Sequence, residues 1–374
     1  MVERKRYLGF LLCVLSVLCV QISAQEFKTV KPGVEYAEVR RDFSGKAVNI
    51  NLLRLDLSRV RIDVHHANGK VLGTETTSAI AKRNGAIAAI NAGFFRLDGT
   101  PFAGDPVGLF MVDGNWLSES TNERIQILIN NKTARTDVEF ARTKLTQTFT
   151  IGDQIFNVAG VNRERKNDDL VIYTPEFGRN TLTGAGGIEL VIVKGVITSV
   201  VKDLGNAVIP ANGYVLSASG TVRDRIDAVA LESVTAKRQW AGLPEDFVKD
   251  RTKLDVVTGV PQLIKNGRVD ITWELEKSNK AFVETRHPRT AAAKLKSGKF
   301  LMLVADGRTD ESGGLGLEDL AAYLLELGAV DAINLDGGGS TTMFVNGKVV
   351  NKPSDKEGER KVSDALLVTL RRKR

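Results

Sequence analysis

Apolar and polar residues alternate along residues 48–57 and 60–64, a pattern typical of half-buried β-strands. Only Ser58 and Arg59 separate the two stretches, and a connection of that length fits a hairpin. Residues 76–84 have the spacing of a short helix that stops at Gly85, and residues 86–90 form an apolar strand. The first part of the chain is therefore predicted to be rich in β-strands.

The apolar strand at 86–90 leads into an amide, a glycine and two aromatic residues. This segment reads Asn91-Ala92-Gly93-Phe94-Phe95. Asn91 and Gly93 are candidate substrate-binding residues, because an amide beside a glycine at a strand end suits a ligand pocket. A strand-to-loop corner with both phenylalanines in the core explains the same segment. The local sequence leaves both interpretations open.

In the middle of the chain, residues 188–193 and 196–201 form two apolar runs joined by Lys194-Gly195, which predicts a hairpin. Glu189 interrupts the first run just after the glycine-rich residues 183–187. An acid beside a glycine loop is a candidate substrate-binding residue. The default prediction for Glu189 is a solvent-facing position on the strand. Residues 221–234 are predicted to form a short helix.

The C-terminal third contains a strand, a helix and a second strand. The first strand (299–305) ends in Asp306-Gly307-Arg308, the helix spans 316–327, and the second strand (329–335) runs into Asp336. A β-α-β unit makes its strands parallel with a right-handed crossover, so both acids emerge at one edge of the sheet. That edge is where such sheets bind ligands. The same logic, applied to residues 60–91, places Asn91 at an equivalent end.

These elements predict an α+β fold, with mixed β-sheets, packed helices and a C-terminal β-α-β unit. No internal repeat or low-complexity linker divides the chain, so we expect a single large domain. A β-rich N-terminal portion (25–85) packs on a catalytic domain (86–372) in this prediction.

The first 24 residues resemble a secretory signal peptide, with basic residues at 4–6, an apolar run at 8–20 and small residues at 22–24. The run is short for a membrane span. We therefore expect an exported protein, periplasmic or extracellular, with no membrane span after removal of the signal. Cys13 and Cys19 both lie in this segment, so thiol catalysis and cysteine-ligated zinc are excluded.

The net charge of the chain is +7, and removing the signal leaves 7 − 2 = +5. A modest positive excess fits an anionic ligand, although basic runs are more often solvated ends. Aromatic residues make up 6% of the chain and are not interleaved with a basic stripe, so no nucleic-acid partner is expected. The sequence also lacks the GxSxG and GxxxxGK[ST] motifs, which argues against a serine hydrolase elbow and a phosphate loop.

The strongest chemical signal is an acid followed by three glycines. It reads Asn334-Leu335-Asp336-Gly337-Gly338-Gly339-Ser340-Thr341. Consecutive glycines expose backbone N–H groups that can bind an anion. A tight hairpin between the flanking apolar stretches explains the tract equally well. Asn334 lies two positions before Asp336, so the two side chains are predicted to share a face.

Asp306 and Asp336 form a candidate carboxylate pair, and Arg289 and Arg308 are candidate cations beside them. Paired carboxylates divide the acid and base or nucleophile roles in glycoside hydrolysis. Arginine suits bidentate binding of phosphate. The sequence requires no cofactor. Calcium or magnesium bound by Asp306, Asp336 or Glu189 stays an open alternative.

Several motifs, taken in order, resemble the phosphodiester glycosidase family over roughly residues 86–370. They are Asn91-Ala92-Gly93-Phe94-Phe95, Gly259-Val260-Pro261-Gln262-Leu263, Pro288-Arg289-Thr290-Ala291, Asp306-Gly307-Arg308, the leucine-rich helix before Gly328-Ala329, and the tract from Asn334 to Met343. The resemblance implies hydrolysis of a sugar 1-phosphodiester, with N-acetylglucosamine as the sugar in the best-known member. The phosphate stays on the acceptor.

By this resemblance Asp306 and Asp336 are the catalytic acids, and Arg289 and Arg308 hold the phosphate. The pocket would be lined by Asn91, Gly337, Gly338, Gly339 and Ser340. Animal members carry cysteine-rich extensions and a membrane anchor that this sequence lacks, so their glycoprotein substrate is not expected here. Envelope polymers or host glycans are the expected partners. The alternative function is a non-catalytic protein that binds exopolysaccharide or a cell-wall polymer.

Overall fold

The computed structural model of the protein describes residues 26–371 except 133, 232, 233 and 250. The predicted signal peptide at 1–24 lies outside the described residues, as do both cysteines. Within the described part, no helix is both long enough and apolar enough to span a membrane.

The described chain is mostly β-sheet. Its strands are β1 (Lys28–Lys31), β2 (Val34–Phe43), β3 (Lys46–Leu55), β4 (Val60–His66), β5 (Glu75–Thr76), β6 (Ala88–Asn91), β7 (Phe110–Val112), β8 (Asn115–Ser118), β9 (Gln126–Asn131), β10 (Thr136–Ala141), β11 (Lys144–Ile151), β12 (Gln154–Asn157), β13 (Gly160–Val161), β14 (Leu170–Tyr173), β15 (Gly187–Val193), β16 (Val196–Lys202), β17 (Gly213–Ser219), β18 (Val234–Ala241), β19 (Leu254–Thr258), β20 (Gln262–Lys265), β21 (Arg268–Val269), β22 (Arg289–Leu295), β23 (Phe300–Ala305), β24 (Ala329–Asn334), β25 (Met343–Val345), β26 (Lys348–Val349), β27 (Lys361–Val362) and β28 (Asp364–Leu370).

The α-helices are α1 (Thr77–Arg83), α2 (Gly220–Asp227), α3 (Glu245–Val248), α4 (Lys280–Glu284) and α5 (Leu317–Glu326). The predicted helix at 76–84 is confirmed as α1, and the Thr76 hydroxyl caps it by accepting a hydrogen bond from the Ala79 N–H. The predicted helix at 221–234 is shorter than expected, because its second half leads into β18. Short 3₁₀ turns occur at Ala67–Gly69 and Gly338–Ser340.

Two large sheets form the half of the molecule that carries the acids. The first has eight strands in the order β1-β2-β3-β23-β22-β24-β20-β21, and the second has five in the order β26-β25-β6-β28-β4. The remaining larger sheets are β10-β9-β19-β7-β8, β13-β14-β17-β15-β16 and β12-β11-β18, and β5 pairs with β27. The predicted hairpin around Lys194-Gly195 is confirmed by the antiparallel pairing of β15 with β16.

The two sheets pack face to face and are covered by helices on their outer faces. The shared core contains Met302 and Val304 from the first sheet and Ile90 and Leu366 from the second. Helix α5 packs on the outer face of the eight-stranded sheet, and α1 packs on the outer face of the five-stranded sheet. The resulting order of layers is helix, sheet, sheet, helix. Burying an apolar face on each side stabilises both sheets.

Two predictions about strand pairing need correction. Residues 48–57 and 60–64 are strands, but they do not form a hairpin: β3 pairs with β2 and β23, whereas β4 pairs with β28. The short link at Ser58 and Arg59 instead carries the chain from one layer to the other. Alternation of apolar residues predicts which face of a strand is buried, but it does not predict which strand pairs with it.

In the C-terminal β-α-β unit, β23 and β24 run in the same direction, since each pairs antiparallel with β22. They are not neighbours, because β22 lies between them. The same arrangement occurs at β4-α1-β6, where β28 lies between the two parallel strands. The two strands of each predicted unit are therefore parallel, as expected, but one antiparallel strand lies between them.

Candidate active site

Six strands end or begin at one edge of the sheet pair. Strands β6, β23 and β24 end there, and β22, β25 and β28 begin there. Backbone hydrogen bonds connect the two layers at this edge: the Asp336 N–H donates to the Ala92 carbonyl at 2.9 Å. The residues just beyond these strand ends include Asp306 and Asp336, so the topology brings both predicted acids to the same edge.

Asp336 follows β24 and is partly exposed. One carboxylate oxygen, Oδ1, accepts a hydrogen bond from the Gly337 N–H at 2.9 Å. Burial by the surrounding protein raises the pKa of Asp336 to about 7, and the negative charge of Asp364 acts in the same direction. The Ser340 hydroxyl, the Gly337 N–H and the charge of Arg360 act the opposite way and lower the pKa. Asp336 can therefore gain and lose a proton near neutral pH, as an acid–base residue must.

Asp364, the first residue of β28, is the acid next to Asp336, and the sequence interpretation did not include it. It is 1% exposed. Its carboxylate accepts hydrogen bonds from the Gly93 N–H at 2.6 Å and the Ser363 hydroxyl at 2.5 Å. Burial raises the pKa of Asp364 to about 6. A Cβ at Gly93 would lie 3.1 Å from the nearer Asp364 oxygen, so the glycine allows this close approach.

Asp306 lies at the same edge but is held differently. It is 4% exposed, and its carboxylate accepts hydrogen bonds from Asn351 Nδ2 and the Lys352 N–H, each at 3.1 Å. Burial raises the pKa of Asp306 to about 6. Asp306 and Asp336 follow strands that flank β22, which separates the two backbones by roughly 10 Å, two strand spacings. Asn351 connects Asp306 to the residues that follow the glycine tract, because its Nδ2 also donates to the Thr341 carbonyl.

Asn91 is fully buried, and its side chain makes hydrogen bonds with other protein groups. Its Oδ1 accepts from the Thr290 hydroxyl at 2.8 Å and from the Thr342 N–H at 3.1 Å. Its Nδ2 donates to the Asp336 carbonyl at 2.6 Å. Asn91 therefore connects β6, β22 and the glycine tract, and it positions Asp336.

The other polar residues of the tract are also buried. Asn334 donates from Nδ2 to the Val260 carbonyl at 2.7 Å. Its Oδ1 is buried and, within the described residues, has no hydrogen-bond partner. Ser340 and Thr341 are each 1% exposed. These three residues are covered by the rest of the protein, whereas Asp336 is partly exposed and Arg308 is exposed at this edge.

Arg289 and Arg308 form a cluster of positive charge with His287. Arg289 is 1% exposed, and its Nε and Nη2 donate to the carbonyls of Leu315, Phe282 and Thr285. Burial and the charge of Arg308 lower the pKa of Arg289 to about 10. Arg308 is exposed, with Nη2 3.1 Å from His287 Nδ1.

No carboxylate in the described part of the chain forms an ion pair with Arg289 or Arg308. Burial, followed by the charges of these two arginines, lowers the pKa of His287. The cluster therefore has a positive charge that the protein itself does not neutralise. Such a site attracts an anion.

Protein groups press closely against each of the three glycines of the tract. A Cβ at Gly337 would lie 2.7 Å from the Pro288 carbonyl oxygen, and one at Gly338 would lie 3.1 Å from Arg308 Nη2. Gly338 also has φ +60°, a conformation that favours glycine. The hairpin interpretation is wrong, because β24 and β25 belong to different sheets. The glycines instead allow close approach of charged groups.

Glu189 is the predicted site residue that lies elsewhere. It belongs to β15 in a different sheet, and it is fully buried rather than solvent-facing as the default prediction had it. Its carboxylate accepts from the Thr183 hydroxyl at 2.9 Å and the Ala207 N–H at 2.8 Å. These two internal donors take the place of water, so the buried carboxylate is fully hydrogen-bonded.

The sequence interpretation missed Asp364 and Arg360. Asp364 is the first residue of β28, and Arg360 comes four residues earlier, just before β27, in the segment Arg360-Lys361-Val362-Ser363-Asp364. Antiparallel pairing of β28 with β6 places Ala365 opposite Asn91, and this pairing brings the segment to the site. The acid and the arginine are visible in the sequence, but the pairing is not. Within the described residues, no group of three or more His, Cys, Asp or Glu side chains could hold a metal ion.

Comparison with known families gives a match to the phosphodiester glycosidase family over residues 186–369. This range contains Arg289, Asp306, Asp336 and Asp364, and begins after Asn91. The resemblance predicted from the motifs is confirmed, over a shorter range than the predicted 86–370.

Among characterised proteins, N-acetylglucosamine-1-phosphodiester alpha-N-acetylglucosaminidase from Mus musculus is 32% identical over 167 residues. The aligned region covers 41% of this chain and 30% of the mouse protein. The enzyme from Homo sapiens is 37% identical over 125 residues, which cover 30% of this chain and 24% of the human protein. The chain thus spans less than a third of either relative.

Among solved structures, a candidate exported protein from Burkholderia pseudomallei superposes with a TM-score of 0.75 at 27% identity. The superposition covers 87% of this chain and 74% of that one. The similarity extends over most of the described sheets, including those that precede the family match.

Proposed function

Because residues 186–369 of this chain match the phosphodiester glycosidase family, we propose that the protein hydrolyses a sugar 1-phosphodiester. The sugar released is N-acetylglucosamine or a close analogue, and the phosphate stays on the acceptor as a monoester. The bond between the anomeric carbon and the phosphate oxygen breaks, and the oxygen of water bonds to the anomeric carbon.

The observation that carries this proposal is the unneutralised charge of Arg289 and Arg308 beside an acid with a pKa near neutrality. The phosphodiester has a negative charge, and Arg308 is exposed and borders Gly338, where a phosphate can reach its guanidinium. Arg289 is buried and held by backbone carbonyls, so it contributes positive charge to the site without being exposed itself. The sugar then lies toward Asp336.

Asp336 is the proposed general acid, because burial raises its pKa to about 7 and keeps a protonated fraction at neutral pH. It protonates the phosphate oxygen that leaves the anomeric carbon. Asp306 is the proposed general base, whose ionised carboxylate takes a proton from the attacking water. Asn91 holds the Asp336 backbone in place.

We also propose that the protein is exported, with an envelope polymer or a host glycan as the physiological substrate. Support comes from the signal-like residues 1–24 and from the similarity to the Burkholderia pseudomallei protein. The positive cluster favours a substrate with phosphodiester links over a neutral polysaccharide.

The test is hydrolysis of an N-acetylglucosamine α-1-phosphodiester in water enriched in ¹⁸O. We expect free N-acetylglucosamine and a phosphomonoester, with the label in the sugar. Label in the phosphate would mean that the phosphorus–oxygen bond breaks, and the glycosidase proposal would be wrong. Tight binding of the substrate without turnover would support the alternative, a protein that binds exopolysaccharide or cell-wall polymer without cleaving it.

A further inference from the structure

Arg360 borders the glycine tract at Gly339, the residue after Gly338, which borders Arg308. Its guanidinium is held by Asp355 through two hydrogen bonds, Nε to Oδ2 at 2.7 Å and Nη2 to Oδ1 at 3.0 Å. A Cβ at Gly339 would collide with both side chains of this ion pair. Consecutive Cα atoms are about 3.8 Å apart. Arg308 and Arg360 therefore flank one short piece of backbone.

The ion pair between Arg360 and Asp355 is partly exposed to solvent. The two side chains are 29% and 26% exposed. Solvent therefore reaches both partners of this two-bond pair, so an anion from solution can compete with the Asp355 carboxylate for the guanidinium. Asp355 also lies in a turn that is closed by the Gly358 N–H donating to the Asp355 carbonyl, with Lys356 and Glu357 exposed at its tip. A local change of this turn would separate the carboxylate from the guanidinium.

We propose that Arg360 is a second phosphate-binding residue, and that the Asp355 carboxylate occupies its guanidinium until the phosphate group replaces it. This inference rests on the proposed function, since the phosphate it names is that of the sugar phosphodiester. Carboxylate and phosphate both present two oxygens to the planar fork of an arginine. Asp355 is thus an internal substitute for the substrate anion.

The chemistry of the reaction explains why a second arginine is useful. A phosphodiester has one negative charge, and the monoester that leaves gains a further charge at neutral pH. Arg308 alone offers one exposed guanidinium to the reactant. The second guanidinium meets the charge that develops as the bond to the anomeric carbon breaks. Arg360 borders Gly339, which lies three residues after the proposed acid Asp336, so the second guanidinium is placed beside the acid.

The test is the affinity of the full chain for inorganic phosphate, measured by calorimetry for the wild type, Arg360→Ala and Asp355→Asn. We expect Arg360→Ala to weaken phosphate binding by about tenfold or more, because one charge-assisted fork is lost. We expect Asp355→Asn to tighten it several-fold, since the competing carboxylate is gone. The two changes remove opposite members of one ion pair, so general damage to the fold cannot produce both results.

A matched control is the ion pair of Arg223 with Asp203, in which Nη2 lies 3.0 Å and 3.1 Å from the two carboxylate oxygens. Arg223→Ala and Asp203→Asn are expected to leave phosphate affinity unchanged. Wild-type affinity in Arg360→Ala, or weaker binding in Asp355→Asn, would overturn the inference. The binding measurement needs no turnover, so a protein that binds phosphate through Arg360 but fails to hydrolyse the phosphodiester refutes only the proposed function.

Discussion

Two segments of the chain combine several glycines with an acidic residue. One is the tract Asp336-Gly337-Gly338-Gly339, and the other is the segment at 183–187 with Glu189. At Glu189 both carboxylate oxygens accept hydrogen bonds from protein groups, Thr183 and Ala207. At Asp336, Oδ1 accepts a hydrogen bond from the N–H of its own neighbour, Gly337, and the nearby Ser340 hydroxyl also favours the charged form of the carboxylate.

The glycines of the two segments differ as well. A Cβ at Gly184 or Gly186, the loop glycines, would meet open space, while one at Gly187, where β15 begins, would collide with Arg165. A Cβ at Gly339 would collide with Arg360 and Asp355. The first segment is a surface loop beside a structural acid that the protein fully satisfies. The second brings charged groups close to an acid that keeps part of its surface exposed. Glycines beside an acid thus indicate a site only where the acid retains capacity for a ligand.

Changing each acid, Asp336 or Glu189, to its amide is expected to have the largest and most different effects. We expect Asp336→Asn to lower kcat by about 10²–10⁴-fold, the usual contribution of a general acid. The variant should keep its fold, because the amide oxygen can still accept from the Gly337 N–H. Activity on the N-acetylglucosamine α-1-phosphodiester and thermal unfolding would be measured together.

The counterpart is Glu189→Gln, for which the expected losses are reversed. The amide can accept from only one of the two donors in this fully buried position, so unfolding should become easier by about 1–3 kcal/mol. Its kcat should stay within about twofold of the wild type, since distant sites act independently. Loss of activity in Glu189→Gln at unchanged stability would place Glu189 in the catalytic machinery and contradict the distinction.

The glycines give a second, smaller contrast. A methyl group at position 339 must displace the Arg360–Asp355 pair, so we expect Gly339→Ala to reduce kcat/KM by about 10- to 100-fold through misplacement of the site. Gly184→Ala is the matched control, because its Cβ meets nothing within 4 Å and its φ is not positive. Its effect on the free energy of unfolding should lie within about 0.5 kcal/mol. Equal kinetics for the two variants would mean that tight packing at Gly339 does not matter for catalysis.

The sequence predicted the elements of the site better than their partners. Periodicity located β23, α5 and β24, and the strand–helix–strand order correctly brought Asp306 and Asp336 to one edge. It could not show that β22 and β28 are inserted between the parallel strands, because pairing across layers depends on contacts far apart in the chain. Asp364 and Arg360 were missed for this reason. The sequence left open whether Asn91 lines a ligand pocket or forms a strand-to-loop corner. Its hydrogen bonds to Thr290, Thr342 and Asp336 show that its side chain binds protein groups.

The smallest expected effect concerns Asp364, the acid whose charge acts on Asp336. Burial raises the pKa of Asp364 to about 6, so it is mostly ionised at neutral pH, and its charge helps raise the pKa of Asp336. Asp364→Asn should therefore lower the pKa of Asp336. If Asp336 acts in its protonated form, the high-pH limb of the kcat/KM profile moves to lower pH, and activity falls several-fold at pH 7.5 but little at pH 5.5.

The unfolding free energy gives a second readout for the same variant. The folded pKa of Asp364 lies above that of a free aspartate, so ionisation of the wild-type residue lowers stability as the pH rises from about 4 to about 6. Asp364→Asn lacks this decline. Asp255 is the control: burial raises its pKa to about 7, and it accepts from the Val64 and Asp113 N–H groups. Asp255→Asn should alter the pH dependence of stability and leave the pH–rate profile unchanged. A pH–rate profile that moves equally in both variants, or in neither, would show that Asp364 does not set the protonation of Asp336.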